Sequence, residues 1–598
     1  MTIYADRLAA LRTELAARSL DAFVIPLTDE HMSEYVGEYA QRLAWLTGFG
    51  GSAGSAAVTA DKAAMFTDSR YTVQVRQQVD GNLYEYQDVP RVKAHDWLAE
   101  ALPPGARVGY DAWLHTPSWV STAKAALVGE GIDLVPVDTN PIDAIWPDQP
   151  EPSTAPIYIH DTDLAGRPSA EKRADIATWL AEKKADAVVI AALDSIAWLL
   201  NIRGEDVEHT PVALAFAIVD RAGTVRLFID PVKVPAEVAS ALGSDVSIEP
   251  RDGFAEALAG YSGKTVAADP DSCVAAIFQA LEDGGAKVLR ARDPVVLPKA
   301  VKNEAELAGS RSAHVRDGAA LSRFLKWLDD TAPSGEVDEL GAAAKLMEIR
   351  SESNLLRDTS FDTISAAGPN AALPHYRVDE GSNRKLEPNG IFLCDSGGQY
   401  GDGTTDVTRT IIVGEPTEEM RDRFTRVLKG HIALATAVFP AGTTGGQLDA
   451  FARQHLWQAG LDYGHGTGHG VGSFLGVHEG PQRIAAASYP GGGASEPLQA
   501  GMILSNEPGY YKEGAYGIRI ENLVIVEPRE TPGGEGEFLG FETVTFAPID
   551  LRLVEPALLT PAEKDWLNAY HKDVREKIGP QLRTPEDQAW LEQATTAI

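Results

Sequence analysis

Apolar positions recur at helical spacing over residues 6–17 and again over 170–183, and each run feeds a short, almost unbroken apolar strand pattern. The first strand reads Asp21-Ala22-Phe23-Val24-Ile25-Pro26 and the second Asp186-Ala187-Val188-Val189-Ile190-Ala191. Further along, Ala44-Trp45-Leu46 recurs as Ala197-Trp198-Leu199, and Phe66-Thr67-Asp68 has a counterpart in Phe228-Ile229-Asp230. Similar segments repeated in the same order predict two copies of one α/β domain. Ser169 is the expected cap of the second copy's first helix.

Proline-rich residues 146–152 read as a linker between the copies, and a second boundary falls near 293–298. Beyond it, Leu307, Val315, Leu321, Leu325 and Leu328 mark a long helix over 304–329. Helices then alternate with glycine-punctuated strand pairs. Thr560-Pro561-Ala562-Glu563 is a capping box with proline at the first helical position, opening a last helix toward Lys577. The expected domains are 1–150, 151–297 and 298–598, in a mixed α/β (α+β) class.

The strand pairs of the last domain carry acids inside apolar runs. Asp395 ends the strand 391–395 and Asp406 lies in 405–412, with turn residues 398–403 between them. A turn centred between Tyr400 and Gly401 would set Asp395 directly opposite Asp406. Likewise a turn centred on Gly514 would set Glu507 opposite Glu521. Cross-strand partners have Cβ atoms about 5 Å apart, and carboxylates that close repel unless a cation sits among them. His469, in the glycine-rich His465-Gly466-Thr467-Gly468-His469-Gly470, adds a nitrogen donor. Four carboxylates and one imidazole suit manganese, more than cobalt, zinc or iron. A pair of such ions would activate a water for amide hydrolysis. His375, His465 and His478 fall near this pattern and could supply an oxyanion donor and a proton for the leaving nitrogen.

Composition narrows the alternatives. A net charge of −33 argues against nucleic acid or an anionic membrane as the partner. Two cysteines in 598 residues make no disulfide framework and point to a reducing compartment. Cys394 beside Asp395 faces the other side of its strand and reads as a small buried hydrophobe. With no basic-then-apolar start and no long apolar stretch, a cytoplasmic protein is expected. Gly263-Lys264-Thr265 lacks the upstream glycine of a phosphate loop, since Leu258 stands there. Turn chemistry accounts for the glycines of 48–54.

The motifs Asp395-Ser396-Gly397, Thr404-Thr405-Asp406-Val407-Thr408-Arg409-Thr410, His465-Gly466-Thr467-Gly468-His469-Gly470-Val471-Gly472, Val477-His478-Glu479-Gly480-Pro481 and Ser505-Asn506-Glu507-Pro508-Gly509-Tyr510-Tyr511 resemble the aminopeptidase P (Xaa-Pro aminopeptidase) family, in its long cytosolic-type form. The likeness extends to Trp198-Leu199-Leu200-Asn201-Ile202-Arg203-Gly204 and Gly51-Ser52-Ala53-Gly54. It implies two creatinase-type N-terminal domains before a pita-bread catalytic domain, and two divalent ions, manganese. By resemblance, Asp406 and Glu521 bridge both ions, Asp395 completes one site, and His469 and Glu507 complete the other. Glu507 also exchanges protons with the nucleophile, His478 stabilises the carbonyl oxygen, His375 acts near the scissile nitrogen, His465 lines the proline pocket, and Arg519 steadies the ligand shell and substrate region. The implied substrate is a peptide with proline second, whose bond lacks an N–H and carries a ring on nitrogen. The N-terminal domains would limit entry to short peptides or build a homodimer. A prolidase acting on dipeptides, a metal-free creatinase-like hydrolase and a non-catalytic peptide-binding module on the same fold are the competing readings.

Overall fold

The computed structural model describes residues 3–89, 91–489 and 492–598. The chain divides into two compact units, Met1–Val296 and Leu297–Ile598.

The first unit holds two six-stranded sheets. With the strands of each numbered in chain order, both sheets run 4-3-2-1-5-6. The matching segments sit at matching places: Ala22–Pro26 and Ala187–Ile190 are the first strands, and Ala63–Thr67 and Val225–Ile229 are the third. Each first strand pairs antiparallel with its second and parallel with its fifth. The helices that precede them are Ile3–Ala17 and Ser169–Lys183. Ser169 is not the cap of its helix: the helix starts there, after Pro168, whose extended backbone makes the turn without a side-chain hydrogen bond.

In the second unit a 28-residue helix, Glu304–Thr331, opens with a capping box between Asn303 and Glu306. It packs with the helix Glu339–Arg350 against a three-stranded sheet of Ile364–Ala367, Gly390–Ser396 and Val407–Val413. A six-stranded sheet includes Gly468–Gly470, Glu479–Ile484, Ile503–Asn506, Asn522–Arg529 and Phe538–Thr543. The helices Glu418–Ala435 and Pro561–Ile578 share one apolar cluster, in which Phe424, Val427, Leu428, Leu567 and Val574 are buried. Each such side chain contributes roughly 1.5–3 kcal/mol on leaving water. The expected box Thr560–Glu563 caps Pro561–Ile578. Among the described residues no helix is long and apolar enough to cross a membrane.

Registers decide where the acids fall. Asp395 pairs with Thr408, not with Asp406 as the tighter turn would have it. The hairpin turns one residue later than expected, because Tyr400 pairs with Gly403, and this moves the cross-strand partner by two. A shift of two preserves side-chain parity, so Asp406 stays on the Asp395 face as a diagonal neighbour. In the second pair the expected register holds. Tyr511 pairs with Gly517, and Asn506 with Asn522, so Glu507 and Glu521 face one another between two ladders, with Gly514 in the left-handed region at φ 71°.

Close backbone approach explains one of the glycines. A Cβ on Gly468 would lie 2.0 Å from the Ser505 carbonyl oxygen. Gly468→Ala should cost about 1–3 kcal/mol through this clash, read as a lowered Tm in thermal unfolding; an unchanged Tm would show that the strand can shift at no cost.

Candidate metal centre

The five candidate ligands reach one place from two sheets. Asp395 is the penultimate residue of the strand Gly390–Ser396, and Asp406 lies just before Val407–Val413. His469 is the middle residue of Gly468–Gly470. Glu507 and Glu521 extend the strands Ile503–Asn506 and Asn522–Arg529 at their facing ends. One possible ligand atom from each of Asp406, His469 and Glu521 lies within 4.8 Å of the others. His469 Nε2 is 3.5 Å from Asp406 Oδ2 and 3.6 Å from Glu507 Oε1. Its Nδ1 is 3.0 Å from the Gly470 carbonyl oxygen. A carbonyl only accepts, so Nδ1 carries the proton and Nε2 offers its lone pair to the acids.

Electrostatics shows that this cluster suits cations. Burial, then Glu521, Asp395 and Glu507, pushes the Asp406 carboxyl well above its ordinary range. Burial, then Asp395 and Glu507, does the same to Glu521. The Glu507 side chain keeps 17% of its exposure, yet desolvation pushes it up to about 7. Arg519 alone cannot balance four carboxylates. Asp395 Oδ1 and Asp406 Oδ1 are buried without a hydrogen-bond partner, and such oxygens are costly unless something positive meets them. The donor set and these orphaned oxygens fit two divalent ions.

Hydroxyls and a guanidinium aim the ligands. Arg519 donates to Asp395 Oδ2 at 2.6 Å and to Thr408 Oγ1 at 3.1 Å. Thr408 Oγ1 in turn donates to Glu521 Oε2 at 2.7 Å. Ser505 Oγ accepts from the His469 backbone N–H and donates to Glu507 Oε1 at 3.2 Å. Arg519 also donates to the Tyr511 hydroxyl at 2.6 Å, and Tyr511 lies 2.8 Å from His465 Nε2. His465 Nδ1 is 2.7 Å from the Gly466 carbonyl oxygen, so Tyr511 donates to Nε2. Burial pushes the Tyr511 phenol up to about 12, which keeps that proton in place.

The remaining histidines border the acids. The His478 and His469 rings stand edge to face at 4.4 Å, and the partly exposed His375 ring faces His478 at 6.5 Å. Next to His478, Glu479 is buried between Lys299 and Lys302, which fixes this stretch of chain. His465 lies against Tyr463 at 4.8 Å and Tyr511 at 5.3 Å, in an aromatic recess. Sequence reasoning missed Thr408, Ser505 and Tyr511 as partners of the ligands. Strand alternation carried a signal for Thr408, two positions from Asp406. Cys394 faces the apolar side beside Phe392 and Val407, its thiol pushed up to about 12 by burial.

Comparison with known proteins gives the chain's family. The family described as Metallopeptidase family M24 matches residues 308–528. The Creatinase/Prolidase N-terminal domain matches twice, at 7–145 and 148–306, and the C-terminal region of peptidase_M24 matches 537–598. Aminopeptidase P2 of Arabidopsis thaliana is 41% identical, over 96% of this chain and 85% of its own length. A probable Xaa-Pro aminopeptidase P of Ajellomyces dermatitidis is 41% identical over 99% of both chains. The crystal structure of an X-prolyl aminopeptidase from Caenorhabditis elegans, described as a cytosolic enzyme with a di-nuclear active site, superposes with a TM-score of 0.94 at 36% identity, covering all of both chains.

The raised carboxyls set a pH dependence. Between about pH 4.5 and 7 the metal-free native state binds more protons than the unfolded chain, so these groups make stability fall as pH rises. Cations need the carboxylates deprotonated, so they bind more tightly over the same interval. The Tm gain on adding manganese should therefore be larger at about pH 7.5 than at about pH 5.5; an equal gain at both would contradict the shared site.

Proposed function

We infer the activity from a fixed premise: the chain belongs to the Xaa-Pro aminopeptidase P family, within metallopeptidase family M24. It is a metallo-aminopeptidase that hydrolyses the bond between an N-terminal residue and proline, using a site for two divalent ions. The observation that carries this reading is the convergence of Asp395, Asp406, His469, Glu507 and Glu521 on one buried, over-acidic spot.

Asp395, Asp406, His469, Glu507 and Glu521 would hold the two ions, with Asp406 and Glu521 shared between them, Asp395 on one side and His469 and Glu507 on the other. When bound, such ions supply an activated water at neutral pH and polarise the scissile carbonyl. Glu507 would take a proton from the attacking water and return it toward the leaving proline nitrogen. His478 donates to the carbonyl oxygen as charge develops there, and His375 holds the region of the scissile nitrogen. His465, set by Tyr511 and backed by Tyr463, lines the pocket for the proline ring. Arg519 keeps its place among the ligands and at the edge of the substrate region.

The finer reading includes manganese as the metal, supported by the carboxylate-rich donor set. It includes the division into domains at 1–150, 151–297 and 298–598. It also includes a cytoplasmic enzyme, supported by the cytosolic description of the Caenorhabditis elegans protein and by two buried free thiols. Nucleic acid is no partner in this reading, given the −33 net charge, and neither is a membrane. A homodimer completes it, supported by large apolar side chains left exposed, Phe451 and Trp457, on the helix Gly445–Trp457.

A manganese-supplemented assay separates the activities. Arg-Pro-Pro should be cleaved after its first residue; turnover confined to the dipeptide Ala-Pro would make the enzyme a prolidase. Asp406→Ala and Glu521→Ala should each lower kcat/KM by roughly 10³-fold, the rate equivalent of the several kcal/mol such a site supplies. Both should fall further than Asp395→Ala, because each disturbs two ions; most activity surviving in either would contradict bridging.

A further inference from the structure

Behind the two glutamates lies a second polar network that faces away from the ligand cluster. Asn506 and Asn522 each adjoin a glutamate and pair across the strands, so their side chains project to the opposite face. Both are fully buried. The Asn506 side-chain amide donates to the His431 backbone carbonyl at 2.9 Å. His431 Nδ1 lies 3.1 Å from the Asn506 carbonyl oxygen and so donates to it, leaving Nε2 to accept from the Asn522 amide at 3.2 Å.

Arg409 closes this network. Its guanidinium is buried, and among the described residues its hydrogen-bond partners are neutral acceptors, none of them a carboxylate. It donates to the Glu521 main-chain carbonyl at 2.7 Å, to Asn522 Oδ1 at 2.8 Å and to the Tyr570 hydroxyl at 2.8 Å. It also reaches the carbonyls of Ala547 and Pro548, at 3.0 Å each. Tyr570 belongs to the helix Pro561–Ile578, and its hydroxyl donates on to the Ala547 carbonyl at 2.9 Å. The backbone of one glutamate and the side chain of its neighbour are thus tied to the C-terminal helix through one residue. A buried charge held this way is retained only while every partner stays in place.

We propose that Arg409, anchored by Tyr570, is a positioning residue that fixes the separation of Glu507 and Glu521 from behind, so that the C-terminal segment governs how tightly the divalent ions are held. The proposal rests on the metal-site reading above. Neither side chain hydrogen-bonds a carboxylate of the candidate site; both act through the strand ends.

The test is direct manganese binding to chelator-stripped, full-length protein by titration calorimetry, with Tm and near-ultraviolet circular dichroism alongside. Arg409→Lys keeps the charge but loses the fork, and manganese should bind about 10–100-fold more weakly, the effect usual for groups that orient metal ligands. Tyr570→Phe removes the hydroxyl that accepts from Arg409 and donates to the Ala547 carbonyl, and should weaken binding about 2–10-fold. In both, the KM for Arg-Pro-Pro at saturating manganese should match wild type. Manganese affinity equal to wild type in both variants, whatever their Tm, would overturn the proposal. Where Arg409→Lys fails to fold, Tyr570→Phe decides it alone. Wild-type protein that takes up no manganese would instead overturn the site reading itself.

Discussion

Three buried carboxylates and a fourth, Glu507, at their edge, pressed against one another, are the constraint on which the catalytic unit depends. Strand register sets Asp395 near Asp406 and Glu507 opposite Glu521, and the packing of two sheets brings the pairs together. Their mutual repulsion is opposed by one guanidinium, Arg519, and a few hydroxyls. A pair of cations would resolve that imbalance, which makes the same residues a weak point in the metal-free fold and, in the function proposed, a strong site for metal.

Much of this was legible in the sequence, and the reasons are local. The Glu507–Glu521 register followed from the turn glycine, Gly514, whose left-handed backbone fixes where the chain reverses. The Asp395–Asp406 register was misjudged by two residues, since the stretch 398–403 holds three glycines and offers more than one place to turn. The error did no damage to the site because the strand period is two. Duplication of the N-terminal domain was legible as well, and the identical strand order of the two sheets gives the repeat its structural meaning.

What sequence could not give is the set of groups that act across long separations. Tyr511 reaches His465, Arg519 reaches Asp395, and Arg409 reaches Tyr570, each from another strand or helix. No periodicity encodes such pairs. The cap expected at Ser169 failed for a simpler reason: Pro168 has the extended conformation a cap needs, so the serine became the first helical residue. The site therefore has two sides of different legibility. Its ligands stand in short motifs, whereas its supports are assembled only by the fold, from hydroxyls beside the acids and from a guanidinium network behind them.

The central claim is that these five groups hold two ions between them. Diffraction from manganese-soaked crystals, collected at the metal's absorption edge, tests it most directly. The account predicts two anomalous peaks enclosed by Asp395, Asp406, His469, Glu507 and Glu521, with Asp406 and Glu521 shared. No peak there, or peaks only at surface acids, would contradict it.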